Sequence, residues 1–188
     1  MNTLNRRNVV QELLANRGDM LVIAGLGAPA WDITAAGDHP LSFPLWGAMG
    51  GAAMVGLGVA IAQPTRRVLV ITGDGEMLMG LGSLAVIAVQ RPHNLSIVVL
   101  DNERYGETGM QKTHTAFGVD LAGVAKAAGF TRAVQVTTST QVTEISEWVR
   151  AGDGPLFAQV KVSVENVPLV LPPKDGELLK RRFRAALR

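Results

Sequence analysis

The 188-residue chain contains no cysteine. That excludes disulfides and thiolate metal sites, and it fits a reducing, cytoplasmic setting. Charge of either sign is scarce: charged residues make up 18% and the formal net charge is only +2. So small an excess points to no nucleic-acid or membrane-surface partner. The opening stretch "MNTLNRRNVVQELL" alternates polar and apolar residues and has no signal-peptide h-region. Long apolar runs are almost absent. The exception, Leu45–Ala62, is eighteen residues without a charge, the lower limit for a membrane span. It holds five glycines and is followed by Gln-Pro and two arginines, which suits a packed helix or a subunit interface better than lipid.

What the chain does have is apolar residues, 47% of the total, in a length that suits one domain over 1–188 with a single sizeable core. A helical stripe through Val9, Val10, Leu13 and Leu14 stops at Gly18, and Met20–Ala24 reads as a buried strand. Then come an expected loop to about Pro44, a glycine-alanine helix over about 49–62, a strand at Arg67–Thr72 and one helix from about Met77 to Gln90. "LSIVVLD" is a further apolar strand. After a polar loop, "DLAGVAKAAG" is a helix closed by Gly129, and "AVQVT", "TQVTEISEWVRAG" and "PLFAQVKVS" continue as strand, helix, strand. The tail, 174–188, is a basic helix with Leu178, Leu179, Phe183 and Leu187 as its apolar positions, expected to be solvated or docked on a partner. Strands buried on both faces and separated by helices define an α/β class, an open, doubly wound, mostly parallel sheet. Ligands in such sheets sit beyond the carboxyl ends of the strands.

Two strand ends carry chemistry. Asp74 stands between Gly73 and Gly75, where the backbone can approach a ligand closely, just before a helix whose free N–H groups favour an anion. A carboxylate there would repel a bare phosphate, so a cation must lie between them. Mg²⁺ with its preference for hard oxygen ligands fits. The next strand ends in Asp101-Asn102, separated from Gly75 by the 25 residues 76–100, enough for a helix, a loop and a strand returning to the same edge. Asn102 offers a neutral carbonyl oxygen, and a backbone carbonyl just beyond could complete the set.

Gly-Asp-Gly, this gap and Asp-Asn resemble the motif of thiamine-diphosphate-dependent enzymes, whose usual ending is Asn-Asn; the departure falls on Asp101. The resemblance implies that the Asp74 and Asn102 side chains and the Arg104 carbonyl bind Mg²⁺, and that backbone amides around Gly75 and Glu76 hold the diphosphate. Gly73, Tyr105 and Gly106 fall with them among the cofactor-contacting positions. "LWGAMG" is similar to the family's Gly-x-Met-Gly segment, which makes the Gly47 carbonyl an acceptor from the aminopyrimidine and Met49 the wedge that bends the cofactor. "DNERYGETGMQKTHT" resembles one subgroup, the β subunits of sulfopyruvate decarboxylase and the matching half of phosphonopyruvate decarboxylase. The implied reaction is decarboxylation of a small anionic 2-oxo acid to an aldehyde. His114 would contact the substrate's anionic head or relay a proton, or else is a loop histidine satisfied by backbone, and Lys112 beside it suits a sulfonate or phosphonate or is simply solvated; His93, after a proline, reads as a surface turn residue, and neither it nor His39 has a supporting pattern.

The family also needs a glutamate from a pyrimidine-binding domain, for which this chain has no room. The resemblance therefore implies a separate α subunit supplying it, in an α₂β₂ or larger assembly, with helix 49–62 as the contact surface. Other thiamine diphosphate reactions, carboligation and 2-oxo acid oxidation, stay open. A nucleotide-binding Rossmann-like domain is a further alternative: Gly25-x-Gly27-x-x-Ala30 follows a strand and meets the letter of the dinucleotide fingerprint. Against it, Pro29 interrupts the expected helix entry and no acidic residue closes a second strand about twenty residues on.

Overall fold

Every second residue of the central strands faces the same side, and this sorts the core into two layers. The computed structural model describes residues 4–165 and 167–188. Its main sheet has the order β2 (Ser42–Pro44), β1 (Leu21–Ala24), β3 (Val68–Gly73), β4 (Leu95–Asp101), β8 (Leu156–Lys161), β7 (Arg132–Val136), with all pairs parallel. One register row runs Phe43, Ile23, Val70, Ile97, Phe157, Ala133 across all six strands. Its central members face α3 (Ala52–Ala62), α5 (Ser83–Gln90), α6 (Leu121–Ala128) and α8 (Gly176–Ala186) through Leu57, Ile87, Ala125 and Phe183. The alternate residues, among them Val22, Leu69, Val98 and Ala158, face α1 (Arg6–Leu14), α2 (Ala28–Ala35) and α7 (Ser139–Ala151). All the residues of β4 are buried, so that strand reads as a continuous apolar run without alternation.

The chain leaves β1 toward β2 through α2 on one face and returns to β3 through α3 on the other. The crevice at the carboxyl ends of β1 and β3 is therefore the switch point of the sheet. Gly73 pairs with Leu100, so Asp74 and Asp101 leave adjacent strands at the same level, and Asp101 pairs in turn with Lys161.

Five sequence expectations need correction. The segment from Gly25 to Pro44 is not a loop: it contains α2 and the edge strand β2. Pro29 does not interrupt a helix entry, because it lies in the first turn of α2, where its missing N–H has no helical partner to lose. The helix read as 77–90 is two helices, α4 (Asp74–Met79) and α5, broken at Gly80-Leu81-Gly82. Helix α3 starts at Ala52 and not at 49, because Ala48 and Gly50 take φ values of 56° and 85°. The polar loop after β4 carries a short antiparallel ribbon, β5 (Arg104–Tyr105) with β6 (Gln111–Lys112).

Helix α8 lies on this chain's own sheet edge. Phe183 stacks at 5.3 Å from Phe43, Leu179 is buried, and Arg182 forks onto Asp38 at 2.6 and 2.8 Å. The segment leading to it is tied down by Arg7 Nη2 donating to the Pro168 carbonyl and Trp46 Nε1 donating to the Pro173 carbonyl, each at 2.8 Å. Among the described residues, no helix is long and apolar enough to cross a membrane.

Candidate active site

Asp74 is the first residue of α4 and its carboxylate is 1% exposed. Its Oδ2 accepts from the Thr113 hydroxyl at 2.5 Å and from the Thr115 hydroxyl at 3.3 Å. Among the described residues it has no cationic partner. Burial, with Asp101 nearby, pushes its carboxyl up to about 6 against the lowering by the threonine hydroxyls. A buried carboxylate held by hydroxyls and backbone, with no cation beside it among the described residues, is ready for one.

Thr115 also donates to Asp101 Oδ1 at 2.8 Å. Asp101 is fully buried and accepts from Gln159 Nε2 at 2.6 Å, Lys161 Nζ at 2.9 Å and the Glu103 amide at 3.0 Å. Lys161 bridges on to Glu103 Oε1 at 2.5 Å. The chain turns immediately after: Glu103 has φ 61°, and the Asn102 Oδ1 accepts from the Arg104 amide at 3.0 Å. That hydrogen bond fixes the Asn102 side-chain oxygen. Asp74, Asn102 and Arg104 line one cavity, together with Met49, Gly73, Gly75, Glu76, Tyr105 and Gly106. An all-oxygen set of one carboxylate, one amide and one backbone carbonyl matches what Mg²⁺ accepts. Among the described residues, no three His, Asp or Glu side chains form a metal cluster of another kind.

The glycines at the site are spaces for neighbours. A methyl on Gly75 would lie 2.6 Å from the Tyr105 ring, so the ribbon packs directly on the first turn of α4. A methyl on Gly25 would overlap the Glu76 carboxylate, and one on Gly27 the Glu107 carboxylate. The Gly25-x-Gly27 pair thus has an occupant on its own chain, which the dinucleotide reading lacked.

The side chain of Glu76 is the feature that sequence reasoning missed. It accepts from the Thr72 hydroxyl at 2.7 Å and from the Ala52 amide at 3.3 Å, capping α3, which has no cap of its own. Burial raises its carboxyl, against hydrogen bonds from Thr72 and from the backbone of Ala52, Leu26 and Gly50. One side chain therefore joins the Gly-Asp-Gly turn to the Gly47–Gly50 segment. The same two segments touch again where a methyl on Gly80 would overlap the Gly50 carbonyl. No spacing in the sequence announces these contacts.

Met49 is 53% exposed at the cavity mouth. Gly47 is half-buried and stands outside the cavity lining. His114 is exposed with Nδ1 at 3.3 Å from the Tyr105 hydroxyl, and Lys112 Nζ lies 5.8 Å over the Phe117 ring; both also stand outside the lining. His93 is exposed, and His39 Nδ1 accepts from the Leu41 amide.

A parallel sheet with an acidic turn at its switch point and a second loop folded over that turn defines a cofactor-binding α/β subunit. Residues 28–160 match the family model "Thiamine pyrophosphate enzyme, C-terminal TPP binding domain", and the chain belongs to that family. It is 38% identical over 180 residues to sulfopyruvate decarboxylase subunit beta of Methanothermobacter thermautotrophicus, covering 96% of this chain and 94% of that one. It is 39% identical over 169 residues to phosphonopyruvate decarboxylase of Streptomyces viridochromogenes, but those residues, 89% of this chain, span only 42% of that protein. Sequence kinship thus places it with thiamine-diphosphate-dependent decarboxylase subunits. A putative thiamin diphosphate-dependent enzyme from Mycobacterium smegmatis shares the fold, with a TM-score of 0.73 at 19% identity over 88% of this chain and 32% of that one.

Proposed function

We propose that this chain is the diphosphate-binding β subunit of a Mg²⁺-dependent decarboxylase for a small anionic 2-oxo acid, sulfopyruvate or phosphonopyruvate. The products would be CO₂ and sulfoacetaldehyde or phosphonoacetaldehyde. The observation that carries the reading is the buried Asp74 carboxylate, without a cationic partner among the described residues, facing one cavity with Asn102 and Arg104.

Thiamine diphosphate, when bound, supplies the electron sink that lets CO₂ leave a 2-oxo acid. The rest is work for the protein. The Asp74 and Asn102 side chains and the Arg104 carbonyl hold Mg²⁺, and the amides of Gly75 and Glu76, with Gly73, Tyr105 and Gly106 around them, take the diphosphate. The Gly47 carbonyl and the Met49 side chain serve the ring end, and Glu76 keeps their segment in place. His114 and Lys112, exposed on the ribbon side, suit the anionic head of the substrate. A pyrimidine-binding α subunit supplies the catalytic glutamate, in an α₂β₂ or larger assembly; the names of the beta-subunit relatives support a partner subunit as such.

The test is titration of thiamine diphosphate into the assembled complex with and without Mg²⁺. Asp74→Ala is expected to abolish Mg²⁺-dependent binding, and unchanged affinity would refute the assignment. Aldehyde release from sulfopyruvate and phosphonopyruvate, with the chain alone and with its partner, then reads substrate and subunit requirement. Full activity of the chain alone would overturn the shared site.

A further inference from the structure

The site cavity has a buried cation that the metal and diphosphate assignments leave unused. Arg6, the first residue of α1, lines it beside the strand-end residues Gly73, Leu100 and Val162 and the ribbon residues Gly106 and Thr108. We propose that the Arg6 guanidinium is an oxyanion-binding group of this cavity and takes the terminal phosphate of the bound diphosphate. The inference rests on the cofactor reading above.

The argument is one of charge. Asp32 is fully buried and receives two guanidiniums, Arg6 Nη1 at 2.6 Å on Oδ2 and Arg7 at 3.1 Å on Oδ1. One carboxylate balances one of them. Arg7 also donates to the Pro168 carbonyl, toward the surface, whereas the Arg6 side chain is only 8% exposed. A buried positive charge in excess is costly unless an anion meets it. Two other carboxylates of the cavity make their hydrogen bonds elsewhere, Asp74 with Thr113 and Thr115 and Glu76 with Thr72 and the Ala52 amide, and Glu107 is exposed beside Gly27. None of them forms an ion pair with Arg6 among the described residues. Asp32 holds Nη1, the one nitrogen of the Arg6 guanidinium with a hydrogen bond among the described residues, and this leaves Nε and Nη2 as donors for an oxyanion. Mg²⁺ at Asp74 and Asn102 and the guanidinium at the cavity wall would then hold the anion from two sides.

Two sources can supply this anion, the diphosphate or the sulfonate or phosphonate head of the substrate, and thiamine monophosphate separates them because it lacks only the terminal phosphate. The measurement is calorimetric titration of thiamine diphosphate and thiamine monophosphate, both with Mg²⁺, into the complex carrying wild-type chain, Arg6→Lys or Arg6→Met. Arg6→Met is expected to weaken thiamine diphosphate about ten- to a hundredfold, the loss of one charge-assisted contact, while monophosphate affinity changes less than about threefold. Arg6→Lys should recover part of the diphosphate affinity. A purely structural arginine would weaken both compounds alike, so an unchanged preference for the diphosphate overturns the proposal. A rise confined to the KM of the 2-oxo acid also overturns it, by moving the contact to the substrate. Arg7 remains to neutralise Asp32 in Arg6→Met, and the double variant Arg6→Met/Asp32→Asn, with no carboxylate left to orphan, should show the same lost preference. A wild-type complex that binds no thiamine diphosphate would instead sink the cofactor reading itself.

Discussion

Replacing Lys161 with methionine removes the only cation bonded to the Asp101 carboxylate among the described residues, and the structure sets the size of the effect. Asp101 has no solvent exposure, and breaking a fully buried ion pair costs about 3–5 kcal/mol. Here the carboxylate keeps hydrogen bonds from Thr115, Gln159 and the Glu103 amide, and the Lys161 side chain is 26% exposed, so the expected loss falls to about 2–3 kcal/mol. Asp101→Asn restores the asparagine usual at this position. It removes the charge but leaves an amide N–H₂ among donors, since Gln159 Oε1 is held by the Ala122 amide and the Gln159 amide group cannot turn to accept; the cost is about 1–2 kcal/mol. With the carboxylate gone, Lys161→Met forfeits only the outer contact to the half-exposed Glu103, about 0.5 kcal/mol. The two substitutions should therefore couple by about 1.5–2.5 kcal/mol, the double variant being more stable than the sum of the singles predicts. Urea unfolding of the four proteins at neutral pH without Mg²⁺, compared at constant m, reads this directly. Additivity within about 0.3 kcal/mol would refute the idea that Lys161 is what permits aspartate at 101.

Asp74 makes stability depend on pH in the metal-free chain. Its folded pKa, about 6, lies above the ordinary 3.8, so its contribution is fully present below 3.8 and is lost as pH rises through about 6, a change of about 3 kcal/mol. Asp74→Asn should lack this drop, and a wild-type profile that parallels the variant between pH 4 and 7 would contradict it. In α3, Gly56→Ala would drive a methyl into Val70 Cγ2 and is expected to cost about 1–3 kcal/mol, whereas Gly58→Ala, with open space around it, should gain up to about 1 kcal/mol. Calorimetric melting should therefore shift in opposite directions, by about 2–4 °C per kcal/mol.

The layers of the fold were legible wherever local chemistry and tertiary role agree. "LSIVVLD" is apolar from Ile97 to Leu100, without alternation, because β4 is covered on both faces, and α6 begins at an Asp120 cap and ends at Gly129 in the left-handed conformation. Helix α2 escaped because it opens on alanine and proline directly after Gly25 and Gly27, which read as a turn until the residues are placed between two parallel strands. The break between α4 and α5 escaped for the converse reason: the apolar spacing of Met77, Leu84 and Ile87 continues across Gly80-Leu81-Gly82 although the helix axis does not. At the site, the metal ligands that the motif implies were visible as residue types. The groups that hold Asp74 and its neighbour Asp101 were not, since Thr113 and Thr115 meet Asp74 from 39 and 41 residues away and Lys161 meets Asp101 from 60. Arg6 and Asp32 become partners only when α1 packs against α2.

The bare approach of Gly80 to the Gly50 carbonyl, reinforced by Glu76 reaching across to Ala52, ties the part that would grip a pyrophosphate to the part that would bend the cofactor's rings. Those two grips travel as a single rigid jaw. Any opening that admits a cofactor must then come from the ribbon over Asp74 or from the partner subunit proposed above, and a bulky residue at position 80, although remote from the chemistry, would pry the jaw apart at its root.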